Sequence, residues 1–246
     1  MKECSKSIHR RLADSSFLRR YFVGTGIDIG GKPDPLMLYR ELFPLMKEVR
    51  TWDWEDGDAQ HMKGVDDRSV DFIHSSHCLE HLVDPQEGLR NWLRVVREGG
   101  HLVVMVPDED LYEQGVFPST FNRDHKWTFT VMKHHSWSDR SLNVVDLVRG
   151  LGPEAELLRV EQLGATYRYG LPRVDQTLSP VAECAIEFVV RRRTAAELQA
   201  KGRWQRTAAQ PDRETRIHLN QYAADQRSMK EGNRSRPPFA DDSPIA

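Results

Sequence analysis

The chain has 246 residues, 39% of them hydrophobic and 29% charged, which is enough for the core of one large domain with a strongly hydrated surface. Its three cysteines, Cys4, Cys78 and Cys184, form no CxxC pair, so a disulfide framework and a cysteine-rich zinc module are disfavoured and a reducing compartment is expected. The longest apolar run, residues 102–106, is too short to span a membrane, and the N-terminal segment lacks the apolar stretch of a secretory signal, so we expect a cytoplasmic protein.

The formal net charge of −2 is unevenly distributed along the chain. Residues 191–246 carry a balance of +5 and the preceding residues a balance of −7. An acidic body argues against an enzyme that grips nucleic acid in a wide basic groove. We expect a domain over residues 1–193 and a polar, basic tail over 194–246, partly disordered or carrying one docked helix. The tail residues at helical spacing are Trp204, Ile217, Leu219 and Tyr222.

Strands and helices are predicted to alternate along the first 190 residues. A short apolar strand over 27–29 ends in Gly30-Gly31, and the residues from Leu36 to Met46 have helical spacing that Pro44 should interrupt. The later predicted elements are a strand ending at Trp52-Asp53, a strand over 70–75, a helix opened by Asp84-Pro85 and stopped by Gly99-Gly100, a strand over 102–106, a helix over 141–151, and a strand pair over 156–163 and 182–190.

This alternation predicts an α/β fold with an open, mostly parallel sheet covered by helices on both faces. A ligand is expected beyond the carboxyl ends of the strands. Residues 107–137 form a long insertion rich in aromatic residues and histidines, and a long loop in a compact domain is usually functional. We therefore expect this insertion to act as a substrate lid.

Several short segments near the predicted strands carry residues suited to ligand binding. They are GIDIGG at 26–31, Asp53, Asp58-Ala59, SSHCLEHL at 75–82 with Asp84-Pro85, and LRVVREGGHLVVMVP at 93–107. A glycine pair lets the backbone approach a ligand, and a carboxylate at a strand end can bind both hydroxyls of a ribose. Asp58 can accept a hydrogen bond from an adenine amino group, and Ala59 leaves room for the ring.

In this order and spacing, the segments resemble the class I S-adenosylmethionine-dependent methyltransferase family, in particular its small-molecule branch. The resemblance is strong over residues 22–107 and is one of topology over 138–190. It implies a Rossmann-like methyltransferase fold, a seven-stranded sheet with an antiparallel last strand, and S-adenosyl-L-methionine as cofactor. By position, the implied cofactor contacts are Asp28, Gly30 and Gly31 to the methionine part, Asp53 to the ribose, Asp58 and Ala59 to the adenine, and Ser75, Ser76 and His77 closing the pocket.

The chain departs from the family pattern at two points. Lys32 stands where a further glycine is usual, so the loop should be differently shaped and the lysine side chain should point away from the cofactor. Asp53 and Asp58 are so close in sequence that the intervening helix must be missing, and either carboxylate remains a candidate for the ribose. A nicotinamide dehydrogenase is disfavoured, because a dinucleotide site needs GxGxxG and the chain has GGKPDP at 30–35.

Methyl transfer to a hydroxyl group is helped by a general base, whereas a carboxylate acceptor is already ionised and needs none. His125, within the insertion, and His77, just past a predicted strand, are the two candidates for this base. His81 is expected to have a structural role.

Other charged groups were weighed as ligands. Asp108, Glu109 and Asp110 suit a hard cation, but no matching carboxylate or amide follows the preceding strand. His134 and His135 are adjacent, and adjacent histidines usually point apart. No metal site is therefore expected. The residues expected to bind an acceptor are Arg123, Lys126 and Trp127, and the basic ones, with Lys133, favour an anionic acceptor.

The expected activity is S-adenosylmethionine-dependent O-methylation of a polar small molecule or glycan, as in glycan or secondary-metabolite biosynthesis. The alternative is an inactive, methyltransferase-like partner protein that serves in an assembly. The expected partners are the acceptor and either a second copy of the chain or a partner protein, without nucleic acid.

Overall fold

The computed structural model describes residues 3–200 and 213–235. Residues 3–200 lie in one compact unit, and residues 213–235 lie in a second. Within these two ranges, no helix has the length and apolar character needed to cross a bilayer.

A six-stranded sheet forms the centre of the first unit. Its strands are β1 (Gly24–Ile29), β2 (Met46–Trp52), β3 (Val70–Ser76), β4 (Val96–Pro107), β7 (Ala155–Leu163) and β8 (Ala185–Arg192), and a separate parallel pair consists of β5 (Thr128–Thr130) and β6 (Ser141–Asn143). The order across the sheet is β2-β1-β3-β4-β8-β7. The first four of these strands are parallel, and β8 is antiparallel to both of its neighbours. The carboxyl ends of β1, β2, β3 and β4 therefore meet at one edge of the sheet.

Four α-helices belong to this unit and one to the second. They are α1 (Glu3–Ala13), α2 (Pro85–Val95), α3 (Val144–Arg149), α4 (Ala195–Gln199) and, in the second unit, α5 (Arg213–Ser235). The start of α2 is where the sequence predicts it, because the Asp84 side chain accepts a hydrogen bond from the Glu87 N–H and Pro85 occupies the first turn. The side chains of residues 216–232 on α5 are exposed.

Apolar cores lie on both faces of the sheet. Leu102, Val104 and Val106 of β4 belong to the core that includes Trp92 of α2, whereas Val103 belongs to the opposite core with Phe72. Side chains alternate between the faces of a strand, so a strand buried on both faces needs a continuous apolar run. This requirement explains why residues 102–106 are the most strongly apolar segment of the chain.

The structure differs from the expected sheet in its number of strands. The resemblance implied seven, and six are present because the chain between β2 and β3 forms turns, including Trp54–Asp56, rather than another helix and strand. The helix expected from Leu36 to Met46 is a short 3₁₀ turn over Leu36–Leu42, because Pro44 stops it and Met46 opens β2.

The N-terminal helix α1 was not predicted, and its residues Glu3 and Cys4 line the cavity described below. The insertion over 107–137 contains a π-helical turn over Glu109–Glu113 and the strand β5. Tyr112 and His125 within it are buried.

Candidate active site

A cavity of about 200 Å³ opens where β1 and β3 end. One side of it is formed by Asp28, Gly30 and Gly31 at the end of β1, and the other by histidines and carboxylates that follow β3 and belong to the insertion. Glu3 of α1 also contributes to the wall. The cavity occupies the position at which open α/β sheets bind ligands, as the strand alternation predicts.

Asp28 is almost completely buried and is held by two contacts. Its Oδ2 accepts a 2.7 Å hydrogen bond from the Leu36 N–H, and its Oδ1 lies 2.6 Å from Nδ1 of His74. Arg11 of α1 lies 3.0 Å from the other ring nitrogen of His74. A guanidinium can only donate, so Nε2 of His74 accepts and Nδ1 carries the proton that bonds Asp28. Asp28 therefore orients the loop after β1 through these bonds.

The glycine pair is required by that arrangement. Gly30 has a φ of +70°, a left-handed conformation that favours glycine. A Cβ atom at Gly31 would lie 2.2 Å from Oδ2 of Asp28. Lys32 lines the cavity, and its Nζ lies 2.9 Å from an exposed carboxylate oxygen of Glu55.

The residues expected to bind the nucleoside are outside the cavity wall. Asp53 is half-buried at the end of β2 and accepts hydrogen bonds from the N–H groups of Trp54 and Lys32. The Asp58 side chain is 60% exposed. Ala59 is half-buried, and its carbonyl accepts a hydrogen bond from the Trp92 indole. Of the two carboxylates, Asp53 is the one that adjoins the glycine loop.

Ser75 and Ser76 end β3 beside the glycine loop. Both hydroxyl oxygens are buried without a hydrogen-bond partner among the described residues, and Ser76 lines the cavity. Ser75 is not among the residues that line it.

Three histidines and two glutamates meet at the far side of the cavity. This histidine–carboxylate cluster consists of His77, Glu80, His81, Glu113 and His125. Oε1 of Glu80 is at its centre, 3.4 Å from Nδ1 of His77, 3.8 Å from Nε2 of His125 and 3.9 Å from Nε2 of His81. The sequence analysis selected His77 and His125 but assigned no role to Glu80 or Glu113.

Local structure brings the cluster together. His77 follows β3 with a φ of +54°, an uncommon conformation for a residue with a side chain, and its N–H bonds the Met105 carbonyl of β4 at 3.0 Å. The next residues form a single turn, Leu79–His81. The insertion is fastened to this turn by a hydrogen bond of 2.9 Å from the Lys126 N–H to the Glu80 carbonyl.

Several cluster atoms are buried and have no hydrogen-bond partner among the described residues. These are both carboxylate oxygens of Glu80, both ring nitrogens of His77, Nε2 of His125, and Oε2 of Glu113. Leaving a buried polar group unpaired costs about 1–3 kcal/mol, and more when the group is charged. Such a concentration of unpaired atoms indicates a site that a polar ligand completes.

The cluster perturbs its own ionisation. Burial alone would raise the pKa of Glu80, but the three surrounding histidines lower it to about 2. Burial alone would lower the pKa of His77, but the Glu80 and Glu3 carboxylates outweigh it and raise that pKa. Glu80 is accordingly a carboxylate at neutral pH. Perturbed groups of this kind in a cleft are typical of functional sites.

The three residues expected to bind the acceptor do not line the cavity. Arg123 is exposed, and the Lys126 ammonium donates to the His81 carbonyl. Trp127 packs against the core, and its indole donates a 3.1 Å hydrogen bond to the Leu82 carbonyl. Lys126 and Trp127 therefore hold the insertion in place.

Sequence reasoning also missed Glu3, which reaches the cavity from α1. Its Oε2 lies 3.8 Å from Nε2 of His77. One signal was available for Glu80, namely its position within the SSHCLEHL segment between two candidate histidines. Glu3 and Glu113 carry no comparable signal, because only the folded chain brings them to the end of β3.

Comparison with known proteins supports the resemblance over the first part of the chain. Residues 16–104 match the family model described as a methyltransferase domain. No curated protein matches the sequence.

Solved structures that are similar to this chain include three described as methyltransferases. An Archaeoglobus fulgidus protein, described as SAM-dependent, is 13% identical with a TM-score of 0.47 over 78% of this chain and 95% of that one. A Thermotoga maritima SAM-dependent methyltransferase is 17% identical, with a TM-score of 0.43, and the match covers 78% of this chain and 91% of that one. A Haloferax volcanii methyltransferase, solved with the Trm112 activator, is 12% identical, with a TM-score of 0.47, and the match covers 78% of this chain and 91% of that one. The match of residues 16–104 to a methyltransferase-domain model agrees with the resemblance of this part of the chain to S-adenosylmethionine-dependent methyltransferases.

Proposed function

We propose that the protein methylates an oxygen atom of a polar small molecule or glycan, and that the acceptor enters the cavity beside the histidine–carboxylate cluster. The observation that carries this proposal is the set of buried nitrogen and oxygen atoms at that wall which have no hydrogen-bond partner among the described residues. A site built to hydrogen-bond a hydroxylated substrate leaves such atoms unpaired until the substrate arrives. An apolar acceptor would leave them unpaired in the complex as well.

The residues at the end of β1 and β3 fit the methionine part of the cofactor. The glycine loop leaves its backbone accessible, and Ser76 presents an unpartnered hydroxyl to the cavity. The volume of about 200 Å³ is below the ~300 Å³ of a small-molecule pocket, so it encloses only part of the cofactor. Asp53, at the rim beside Lys32, is then the residue placed for the ribose.

When bound, the cofactor supplies a sulfonium methyl group: the acceptor oxygen forms the new C–O bond, the C–S bond breaks with its electron pair left on sulfur, and the hydroxyl proton passes to a base. His77 and His125 are the two histidines of the cluster that offer a buried, unpartnered ring nitrogen there. Loss of a general base typically costs 10²- to 10⁴-fold in rate. An acceptor that is already a carboxylate would need neither histidine.

The charges in the cavity favour a neutral acceptor over the anionic one that the sequence suggested. Glu3, Asp28, Asp34 and Glu80 line the cavity together with Lys32, whose ammonium is paired with Glu55, while the ammonium of Lys133 is bound by Glu109 and Asp110 elsewhere. Carboxylates repel an anion and accept hydrogen bonds from hydroxyl groups. We therefore propose an uncharged, hydroxyl-rich acceptor, used in the cytoplasm, where the three free cysteines would stay reduced.

Calorimetry and product analysis test this function. S-adenosylhomocysteine should bind the folded protein, and in the presence of S-adenosylmethionine it should form when neutral sugars are added but not when the matching uronic acids are. Replacing His77 or His125 by alanine should leave affinity for S-adenosylhomocysteine nearly intact and lower turnover, whereas replacing the exposed His134 should change neither. No heat with either the cofactor or its product would exclude an active enzyme and favour the partner-protein alternative. Equal turnover in all three variants would exclude histidine base catalysis.

A further inference from the structure

Three potential metal ligands converge within the histidine–carboxylate cluster. One ligand atom from each of Glu80, His81 and His125 lies within 4.8 Å of the other two. The Glu80 and His125 side chains are at most 1% exposed, and that of His81 is 30% exposed. Two imidazoles and one carboxylate form a donor set that proteins use for divalent transition metals.

Hydrogen bonds on the far side of each imidazole determine which nitrogen faces Glu80. Nδ1 of His81 lies 3.2 Å from the Asp124 carbonyl oxygen, and Nδ1 of His125 lies 2.7 Å from a carboxylate oxygen of Glu113. Both partners can only accept, so in each neutral ring Nδ1 carries the proton. Nε2 of both rings then directs a lone pair towards Glu80. This is the usual arrangement of a metal-ligating histidine, whose other nitrogen is held by a carboxylate or carbonyl.

Three electron-rich atoms are thereby held together, with Nδ1 of His77 at 3.4 Å from Oε1 of Glu80. Among the described residues, both oxygens of Glu80 and Nε2 of His125 lack a hydrogen-bond partner. Glu113 adds a second buried carboxylate, 1% exposed, behind His125. A cation placed between the three ligand atoms would neutralise the carboxylate and use both lone pairs.

The spacing is close to what an ion requires. Bonds of ~2.1 Å in a tetrahedral zinc site separate the ligand atoms by about 3.4 Å. The two Nε2 atoms lie 3.8 and 3.9 Å from Oε1 of Glu80, so a shift of about half an ångström at each would close the site. The fourth position would face the cavity.

We propose that Glu80, His81 and His125 bind one divalent transition-metal ion, of the Zn²⁺ class, at the acceptor side of the cavity. Its place beside the acceptor rests on the proposed function. With Nε2 of His125 bound to the ion, His77 is the histidine left to take the acceptor proton. The ion would polarise the acceptor oxygen as a Lewis acid. The sequence led us to expect no metal site, because the ligands considered there were Asp108, Glu109, Asp110 and the His134-His135 pair.

Metal binding is measured without any activity assay. Untagged full-length protein is stripped with a chelator, dialysed and titrated with Zn²⁺ against a chromophoric competitor, and its metal content is determined by mass spectrometry. We expect one Zn²⁺ per chain and no comparable binding of Mg²⁺, which prefers oxygen ligands. His81→Ala, at the partly exposed ligand, should weaken Zn²⁺ binding more than ~100-fold, and Glu113→Gln, behind His125, about 10- to 100-fold.

Two controls make the result specific. His134→Ala removes an exposed histidine outside the cluster and should bind Zn²⁺ like the unaltered chain, and His77→Ala should also retain the ion. Circular dichroism establishes that each variant is folded. Less than a tenth of an equivalent of Zn²⁺, or equal affinity in His81→Ala and His134→Ala, would overturn the proposal. Stoichiometric Zn²⁺ without methyl transfer to any hydroxylated acceptor would instead count against the proposed function alone.

Discussion

Arg11 of α1 donates a 2.7 Å hydrogen bond to Glu187 of β8, and both side chains are completely buried. Burial would raise the pKa of Glu187, but Arg11 and Arg10 lower it to about 2, so the pair is ionised at neutral pH. Arg11 also contacts His74, which bonds Asp28. A single buried residue of the N-terminal helix thus joins β8 to the loop that shapes the candidate cofactor site.

Replacing Arg11 by alanine should lower the free energy of unfolding by about 3 kcal/mol, because Glu187 would keep a buried charge with only Arg10 as partner. Chemical denaturation measures this. Arg19→Ala, at an exposed arginine close by, should cost less than ~0.5 kcal/mol. The same cost in the two variants would contradict a structural role for the buried pair.

The stability of the fold should depend on the protonation of His101. This residue is buried on β4, its Nε2 has no hydrogen-bond partner among the described residues, and burial followed by Arg20 and Arg191 lowers its pKa to about 4. In the unfolded chain the pKa is ~6.5, so the unfolded state takes up the proton first as the pH falls. A neutral His101 therefore adds roughly 3 kcal/mol to the free energy of unfolding above about pH 6.5. This stabilisation is lost progressively as the pH falls towards 4.

Denaturation curves at several pH values test this directly. His101→Leu should flatten the dependence of unfolding free energy on pH between about 4 and 6.5. His134→Leu, at an exposed histidine, should keep the slope of the unaltered chain. A slope that is the same in both variants would mean that His101 is not held neutral by the fold.

Of the two acidic residues considered for the nucleoside, Asp53 should matter more than Asp58. Asp53 adjoins the glycine loop, whereas the Asp58 side chain is 60% exposed. We expect Asp53→Ala to weaken S-adenosylhomocysteine binding by about 1–3 kcal/mol and Asp58→Ala by less. Calorimetry gives both affinities, and melting curves identify any loss of fold from the turn that Asp53 caps. The reverse ranking would place the ribose at Asp58.

Two truncations locate the C-terminal limit of the domain, which the sequence analysis put at residue 193. Beyond it, Glu197 of α4 pairs with Arg191, and the Ala195 N–H donates to Glu98. A chain ending at Ala200 should keep the melting temperature of the full protein within ~2 °C, whereas one ending at Arg193 should melt several degrees lower. Equal melting temperatures would remove α4 from the domain. Of the tail residues singled out in the sequence, Trp204 lies outside the described residues.

Much of the fold is determined locally and was predictable. The apolar run over 102–106 predicts a strand covered on both faces, and the Asp84-Pro85 pair predicts the start of α2, because each depends on the chemistry of adjacent residues. The alternation of elements predicts the parallel sheet and the edge at which a ligand binds. The number of strands was not predictable from that alternation, since the turns between β2 and β3 replace a whole helix and strand.

The composition of the candidate site was decided by tertiary structure. Glu113 and His125 meet within the insertion, and that segment reaches Glu80 and His81 through backbone contacts some 40 residues away in sequence. A sequence pattern reports periodicity and local capping, and it carries no information on the path of an irregular loop. The sequence by itself therefore determined the parallel sheet, the edge at which a ligand is expected and two candidate histidines. Only the folded chain decided which carboxylates and imidazole nitrogens face one another, because that choice depends on where the insertion packs.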